Sequence, residues 1–189
     1  MKQGKALYVP LNTLVGTMSA QKGIHSLRDK SILMLSHYMG LRAMELAALT
    51  VEDVFDPGSG QIKDLIRLFV TKGQRFREVP LVNALARETL RLYLSTRSLR
   101  AMESPLFMSQ RGGPFSANTM QRLIAIMYHR AGVKGSSHSG RRSYATNLIQ
   151  AGADVYTVQC LLGHSSIMTT QEYFTTSPVR MAKFAAMLS

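Results

Sequence analysis

A mainly α-helical domain with a small antiparallel β-sheet is the fold class this sequence predicts, on three observations. Apolar residues recur at helical spacing along much of its 189 residues. Two neighbouring runs, LIRLFV at 65–70 and RFREVPL at 75–81, form the one strong strand signal. Glycine and proline breaks cut the last third into short pieces of helical length. With 46% apolar and 18% charged residues there is ample material for a core, and the length suits one domain.

The elements follow in order. Leu27, Ile32, Leu33 and Leu35 give a first helix from Ser26 to His37, interrupted by MGLR. RAMELAAL, rich in helix formers, starts a second near Arg42, and Thr50, Glu52 and Asp53 read as its exit into a loop closed by Asp56, Pro57, Gly58 and Gly60. The two strand-like runs make a hairpin turning around Gly73, with Lys72 in the turn. Residues 83–100 return to helical periodicity, with Leu85, Leu92 and Leu99 near heptad spacing and Arg87, Arg91, Arg97 and Arg100 on other faces, an amphipathic helix partly turned toward a polyanion. Ser116 is an N-cap for a helix stopped by Gly132. Gly135, Gly152, Gly163 and Pro178 then delimit helical pieces at 138–150, 154–162, 166–174 and 179–188, with Asp154 and Ser166 as N-caps.

Charge points to a partner. There are 23 Lys and Arg against 11 Asp and Glu, a net charge of +12. Residues 61–135 hold 13 basic and 4 acidic groups, so nine of the twelve excess charges sit there, most of them arginine, whose planar fork pairs with phosphate oxygens. Nucleic acid leads as the partner; a solubilised or ribosome-associated basic surface is second, and an anionic membrane surface third for want of a basic amphipathic terminal helix. No apolar run approaches the roughly 18 residues that span a bilayer, and the start lacks a signal peptide's apolar stretch, which fits a cytoplasmic protein. Cys160 is the one cysteine, so an internal disulfide framework and a four-cysteine zinc site are excluded. Cys160 with His164 and His138 lacks a fourth metal ligand and reads as a buried structural thiol. No phosphate-binding GxxxxGK[ST] loop, GxSxG elbow or HExxH pair is present, leaving nucleotide hydrolysis, acyl transfer and metalloprotease chemistry without support.

Four clusters carry chemistry. In HSGRRSYAT, His138 and Arg141 stand three apart and share a helix face. In LLGHSSIMTTQEYF, His164 and Tyr173 are nine apart, which on one continuous helix would set them on opposite sides. Gly163, Ser165 and Ser166 supply a turn that lets them converge. In GLRAMEL, Arg42 and Glu45 can form an i,i+3 ion pair, and Lys72 by itself is a solvated turn lysine.

Taken together and in order, these clusters resemble the tyrosine recombinases of the phage integrase family. GLRAMEL resembles the family's first arginine box, TKGQRFREVPL its lysine hairpin, HSGRRSYAT its HxxR box and LLGHSSIMTTQEYF its histidine and tyrosine box, over residues 25–175. The resemblance implies the family's catalytic-domain fold and attack by Tyr173 on a DNA phosphodiester, with a 3'-phosphotyrosyl intermediate, a free 5'-hydroxyl, and neither metal nor other cofactor. Since a tyrosine hydroxyl titrates near pH ~10, it needs a base or a positive field to attack at neutral pH. The resemblance assigns Arg42 and Arg141 to the non-bridging oxygens, His138 to the tyrosine proton, His164 to a phosphate oxygen, Lys72 to the leaving oxygen and Glu45 to the support of Arg42. Arg75, Arg77 and Arg142 are expected on the DNA backbone. A relaxing enzyme of the type IB topoisomerase kind, and a DNA-binding regulator without strand exchange, are the rival readings.

Two departures from the family pattern carry expectations. Gly140 and Arg142 stand where the family more often has leucine and histidine, implying altered helix packing and a looser site. An amino-terminal core-binding domain has no room, so residues 1–189 read as a single catalytic domain, either a fragment or a compact recombinase resembling fimbrial-type invertases. Such a body would hold duplex DNA from one side, bind weakly as a monomer and act as a homotetramer on paired sites. The tail 176–189, apolar at Val179, Met181, Phe184, Ala185 and Leu188, is expected to dock on a neighbouring protomer.

Overall fold

The computed structural model describes residues 6–70, 75–97, 101–171, 173, 174 and 186. At its centre lies α2 (Ser26–Tyr38), buried from Ser31 to His37 without interruption. Such a helix shows no amphipathic stripe because it has neighbours on every side: α5 (Ala84–Ser95) and α7 (Ser139–Gln150) cover it most extensively, with α1 (Leu11–Ser19), α3 (Ala43–Ala48) and α6 (Ala117–Arg130) around the rest. Leu14, Ile32, Met34, Leu46, Leu90, Phe107, Met127 and Tyr128 are among the side chains that fill this core.

Beside the helices lies a hairpin, β3 (Leu65–Val70) against β4 (Arg75–Pro80), antiparallel in the register Leu68 with Arg77. The Lys72 and Gly73 turn lies outside the described residues. A second, two-residue pair, β1 (Phe55–Asp56) with β2 (Gln61–Ile62), precedes it and was not anticipated. Thr50 and Asp53 form a capping box that begins α4 (Val51–Val54) where the sequence suggested only an exit from the preceding helix.

A smaller apolar cluster builds the far end. Ala145 and Ile149 of α7 pack with Val158 and Leu162 of α8 (Val155–Leu162), and Tyr144, Leu148, Tyr173 and Phe174 close over them. Asp154 caps α8 by accepting from the Thr157 amide, and Gly163 ends it at φ +63°. The chain then reverses into α9 (Ile167–Gln171), which packs back on α8. The reversal that the His164–Tyr173 spacing required is therefore made by a left-handed glycine. Of the tail expected at 176–189, only Ala186 is among the described residues.

Helix α7 approaches α2 through Gly140. A Cβ there would fall 2.3 Å from Ser36 Oγ and 2.9 Å from the Ser36 carbonyl carbon. The altered helix packing expected at this glycine takes the form of a close approach: the two backbones meet more closely than any side-chain-bearing residue allows. Along α5 the apolar pattern also needs correction. Leu85 and Leu92 are exposed, whereas Ala86, Thr89, Leu90, Tyr93 and Leu94 are buried.

Candidate active site

The last carbonyls of a helix have no partner within it, and they carry the negative end of its dipole. At the end of α8 three arginines from three other elements take three consecutive carbonyls. Arg77 Nη1 donates to the Leu161 oxygen at 2.5 Å, Arg141 Nη2 to Leu162 at 2.6 Å and Arg42 Nη2 to Gly163 at 3.3 Å. The helix end thus gathers like charges that would otherwise separate, with one carboxylate to help. Glu45 Oε1 accepts from Arg42 Nη1 at 3.0 Å, and Oε2 accepts from the Arg42 amide at 2.7 Å and from Arg77 Nη2 at 2.8 Å.

Each arginine is placed by its own local structure. Arg42 is the N-cap of α3, and Glu45, one turn in, reaches back to its amide. Arg141 sits in the first turn of α7, its side chain buried, with Nη1 donating to the Gly40 oxygen at 2.7 Å. Gly40 can present that oxygen because it is left-handed, φ +63°, and because a Cβ there would strike the Tyr144 ring at 2.6 Å. Burial, reinforced by the neighbouring Arg42, pulls Arg141 down to about 9, which leaves it cationic at neutral pH. Arg42 keeps 31% of its side chain exposed, against 7% for Arg77 and 8% for Glu45, so Arg42 is the accessible member of the triad.

His164 follows immediately on the α8 cap. Its Nδ1 lies 2.8 Å from the Oγ1 of Thr170, which is fully buried in α9. The imidazole stacks on the Tyr173 ring, centroids 6.1 Å apart and planes 14° from parallel. Desolvation, then the fields of Arg141, Arg42 and Arg77, lower His164 to about 4, so it is neutral at pH 7. Tyr173 is half-buried against the small apolar cluster and close enough to Arg141 to act on its charge. A partly exposed cationic pocket with a neutral imidazole and a phenol at its wall is suited to holding a tetrahedral anion next to an oxygen nucleophile.

The structure therefore brings Arg42, Glu45, Arg141, His164 and Tyr173 together. His138 is exposed at the N-cap of α7, and Lys72 lies outside the described residues, as does the side chain of Arg75. Arg142 is half-buried, its Nε without a hydrogen-bond partner among the described residues. Arg77, expected on the DNA backbone, has its guanidinium buried and engaged by Glu45 and Leu161. Arg87 and Arg97, half-buried, are also engaged within the protein. Arg87 donates to the carbonyls of Ile62, Lys63 and Leu81 and pairs with Asp64; Arg97 donates to Pro105 and Leu106. Cys160 is exposed on α8, contrary to the buried thiol the sequence suggested. No three His, Cys, Asp or Glu among the described residues gather to hold a metal, and no described helix is long and apolar enough to cross a membrane.

Sequence reasoning missed Thr170 and the internal role of Arg77. The TT pair before the tyrosine was the available signal for the first, and alternation along β4, which turns Arg77 to the same face as Val79, was the signal for the second.

The family model described as "Phage integrase family" matches residues 1–179. Tyrosine recombinase XerD of Corynebacterium glutamicum is 37% identical over 153 residues, covering 78% of this chain and 48% of that protein. Tyrosine recombinase XerC of Syntrophus aciditrophicus is 33% identical over 169 residues, covering 84% and 52%. The chain thus spans about half the length of these curated relatives. Among solved structures, XerA recombinase superposes with a TM-score of 0.76 at 24% identity, covering 98% of this chain and 66% of that one. XerH site-specific recombinase bound to its difH substrate gives 0.74 at 23% identity, covering 99% and 56%. The fold is that of these catalytic domains, mainly α with small antiparallel sheets, and the chain belongs to the phage integrase family.

Proposed function

We propose that this chain performs site-specific DNA recombination, cleaving and rejoining duplex DNA through a 3'-phosphotyrosyl intermediate on Tyr173. The observation that carries the reading is the convergence of Arg42, Arg141 and His164 beside Tyr173. The naming of the relatives as tyrosine recombinases, and of a structural neighbour as a recombinase on its DNA substrate, supports it.

The chemistry follows from the residues. The Tyr173 oxygen attacks the scissile phosphorus, the phosphorus–5'-oxygen bond breaks, and the 3'-phosphate stays on the enzyme. Arg42 and Arg141 offset the charge that builds on the non-bridging oxygens; two good charge-assisted contacts of this kind lower the barrier by several kcal/mol. Neutral His164 donates to one of those oxygens without adding a charge to an already crowded pocket. His138 takes the tyrosine proton and Lys72 supplies one to the leaving 5'-oxygen. The proposed residues need neither metal nor cofactor. Reversal by a 5'-hydroxyl from a second duplex exchanges strands, which is integration, excision or inversion according to how the sites are arranged, and requires two sites held together, hence a homotetramer assembled from monomers. The setting is bacterial cytoplasm, on chromosomal or mobile-element DNA.

Incubation with nicked suicide substrates carrying candidate sites, followed by denaturing electrophoresis, tests this. A retarded covalent species that Tyr173→Phe abolishes is the expected result. Binding without any adduct would instead favour a regulator acting by occupancy, and sequence-independent relaxation of supercoiled plasmid would favour a topoisomerase.

A further inference from the structure

We infer that Thr170 is a positioning residue that sets the tautomer of His164, holding its proton on Nε2. Among the described residues, Oγ1 has one hydrogen-bond partner, His164 Nδ1 at 2.8 Å, and the residue is fully buried. A buried hydroxyl hydrogen without an acceptor is costly, whereas spare oxygen lone pairs are cheap. The hydroxyl therefore donates, Nδ1 accepts, and the imidazole proton is left on Nε2.

The opposite polarity would waste the pocket. With the proton on Nδ1, Nε2 would present a lone pair, which repels a phosphate oxygen instead of donating to it. With both nitrogens protonated, a further cation would stand among Arg42, Arg77 and Arg141, and the lowered proton affinity of His164 is consistent with the neutral form. Thr170 reaches this position because the Gly163 reversal lays α9 against α8, and Tyr173 follows just beyond the end of α9, its ring stacked on the imidazole that Thr170 orients.

The inference deepens the proposed recombination and rests on it for its catalytic meaning, but its physical content can be read without DNA. Long-range 15N–1H spectra of the whole protein, labelled at histidine, report the tautomer of each ring. His164 is expected as a single Nε2–H form in the wild type, as an exchange-averaged mixture in Thr170→Val, and as the Nε2–H form again in Thr170→Ser. On suicide substrates Thr170→Val is expected to slow adduct formation on the order of tenfold, the equivalent of one hydrogen bond, with Thr170→Ser restoring it and DNA affinity unchanged throughout. An Nδ1–H tautomer in the wild type, or a Thr170→Val spectrum and rate indistinguishable from wild type, would overturn the inference. An Nε2–H tautomer in a protein that forms no adduct would uphold the contact and overturn the recombinase reading.

Discussion

Arg77 and Arg42 look alike in the sequence and play different parts in the fold. Arg77 is 7% exposed and bound to Glu45 and Leu161, while Arg42 leaves a third of its side chain to solvent. The slope of binding affinity against salt counts phosphate contacts, so it separates the two. Arg42→Met is expected to reduce that slope by about one contact, whereas Arg77→Met leaves the slope intact and slows adduct formation by misplacing Glu45. Equal slope changes in both variants would return Arg77 to the DNA surface. Glu45 bridges two guanidiniums, and its removal strands a buried cation. Glu45→Ala is therefore expected to lower unfolding stability by about 3 to 5 kcal/mol, measured in urea at neutral pH. The residue types of the pocket were legible in four short clusters, because each carries a side chain that phosphate chemistry needs. Their partners were not: Leu161, Leu162 and Gly163 contribute backbone oxygens, which no residue type advertises.

At the scale of elements, close approaches decide what the sequence could reveal. Gly140 lets α7 meet α2 at Ser36, and Gly163 turns the end of α8 with no room for a Cβ beside Arg77, whose Cδ would lie 2.6 Å away. Gly163→Ala at φ +63° is expected to cost about 1 to 2 kcal/mol and to displace Arg77; Gly140→Ala is expected to cost about 1 to 3 kcal/mol by forcing the helices apart. Gly16 provides the contrast. It lies inside α1 with open space around it, so Gly16→Ala is expected to stabilise by about 0.5 to 1 kcal/mol. Urea midpoints of the three variants check the order, and a neutral Gly140→Ala would refute the close approach. The same helix α1 escaped the sequence because it begins at Pro10 with no capping side chain and carries that glycine. In α5 the heptad leucines misled: its inward stripe runs through Ala86, Thr89, Leu90 and Tyr93, two of them too small or too polar to stand out. Where a cap or turn residue was decisive, at Ser116, Asp154 and Gly163, boundaries were readable to within a residue or two.

For the whole molecule, the net charge of +12 points to nucleic acid as a partner. The fold ties part of that charge to backbone carbonyls, as at Arg87, Arg97 and Arg141, and leaves part exposed, as at Arg67, Arg111, Arg122 and Lys134. One consequence is acid sensitivity. Burial lowers His37, in the central helix, to about 4 from an ordinary value of 6.5, so the unfolded chain binds the proton first. Its stabilising contribution is complete above pH 6.5 and is lost progressively as pH falls toward 4, on the order of 3 kcal/mol in total. His164, lowered in the same direction, adds to the effect. Unfolding free energy compared at pH 7 and pH 5 is expected to fall, and to fall less in His37→Phe; equal losses in both proteins would contradict the assignment. The central claim is that one pocket, assembled at the end of α8, makes Tyr173 a nucleophile toward DNA. Peptide mapping by mass spectrometry of the protein trapped on a suicide substrate tests it most directly. A nucleotide attached through its 3'-phosphate to Tyr173 is the predicted result, and attachment at any other residue, or no attachment on any substrate that the protein binds, would contradict it.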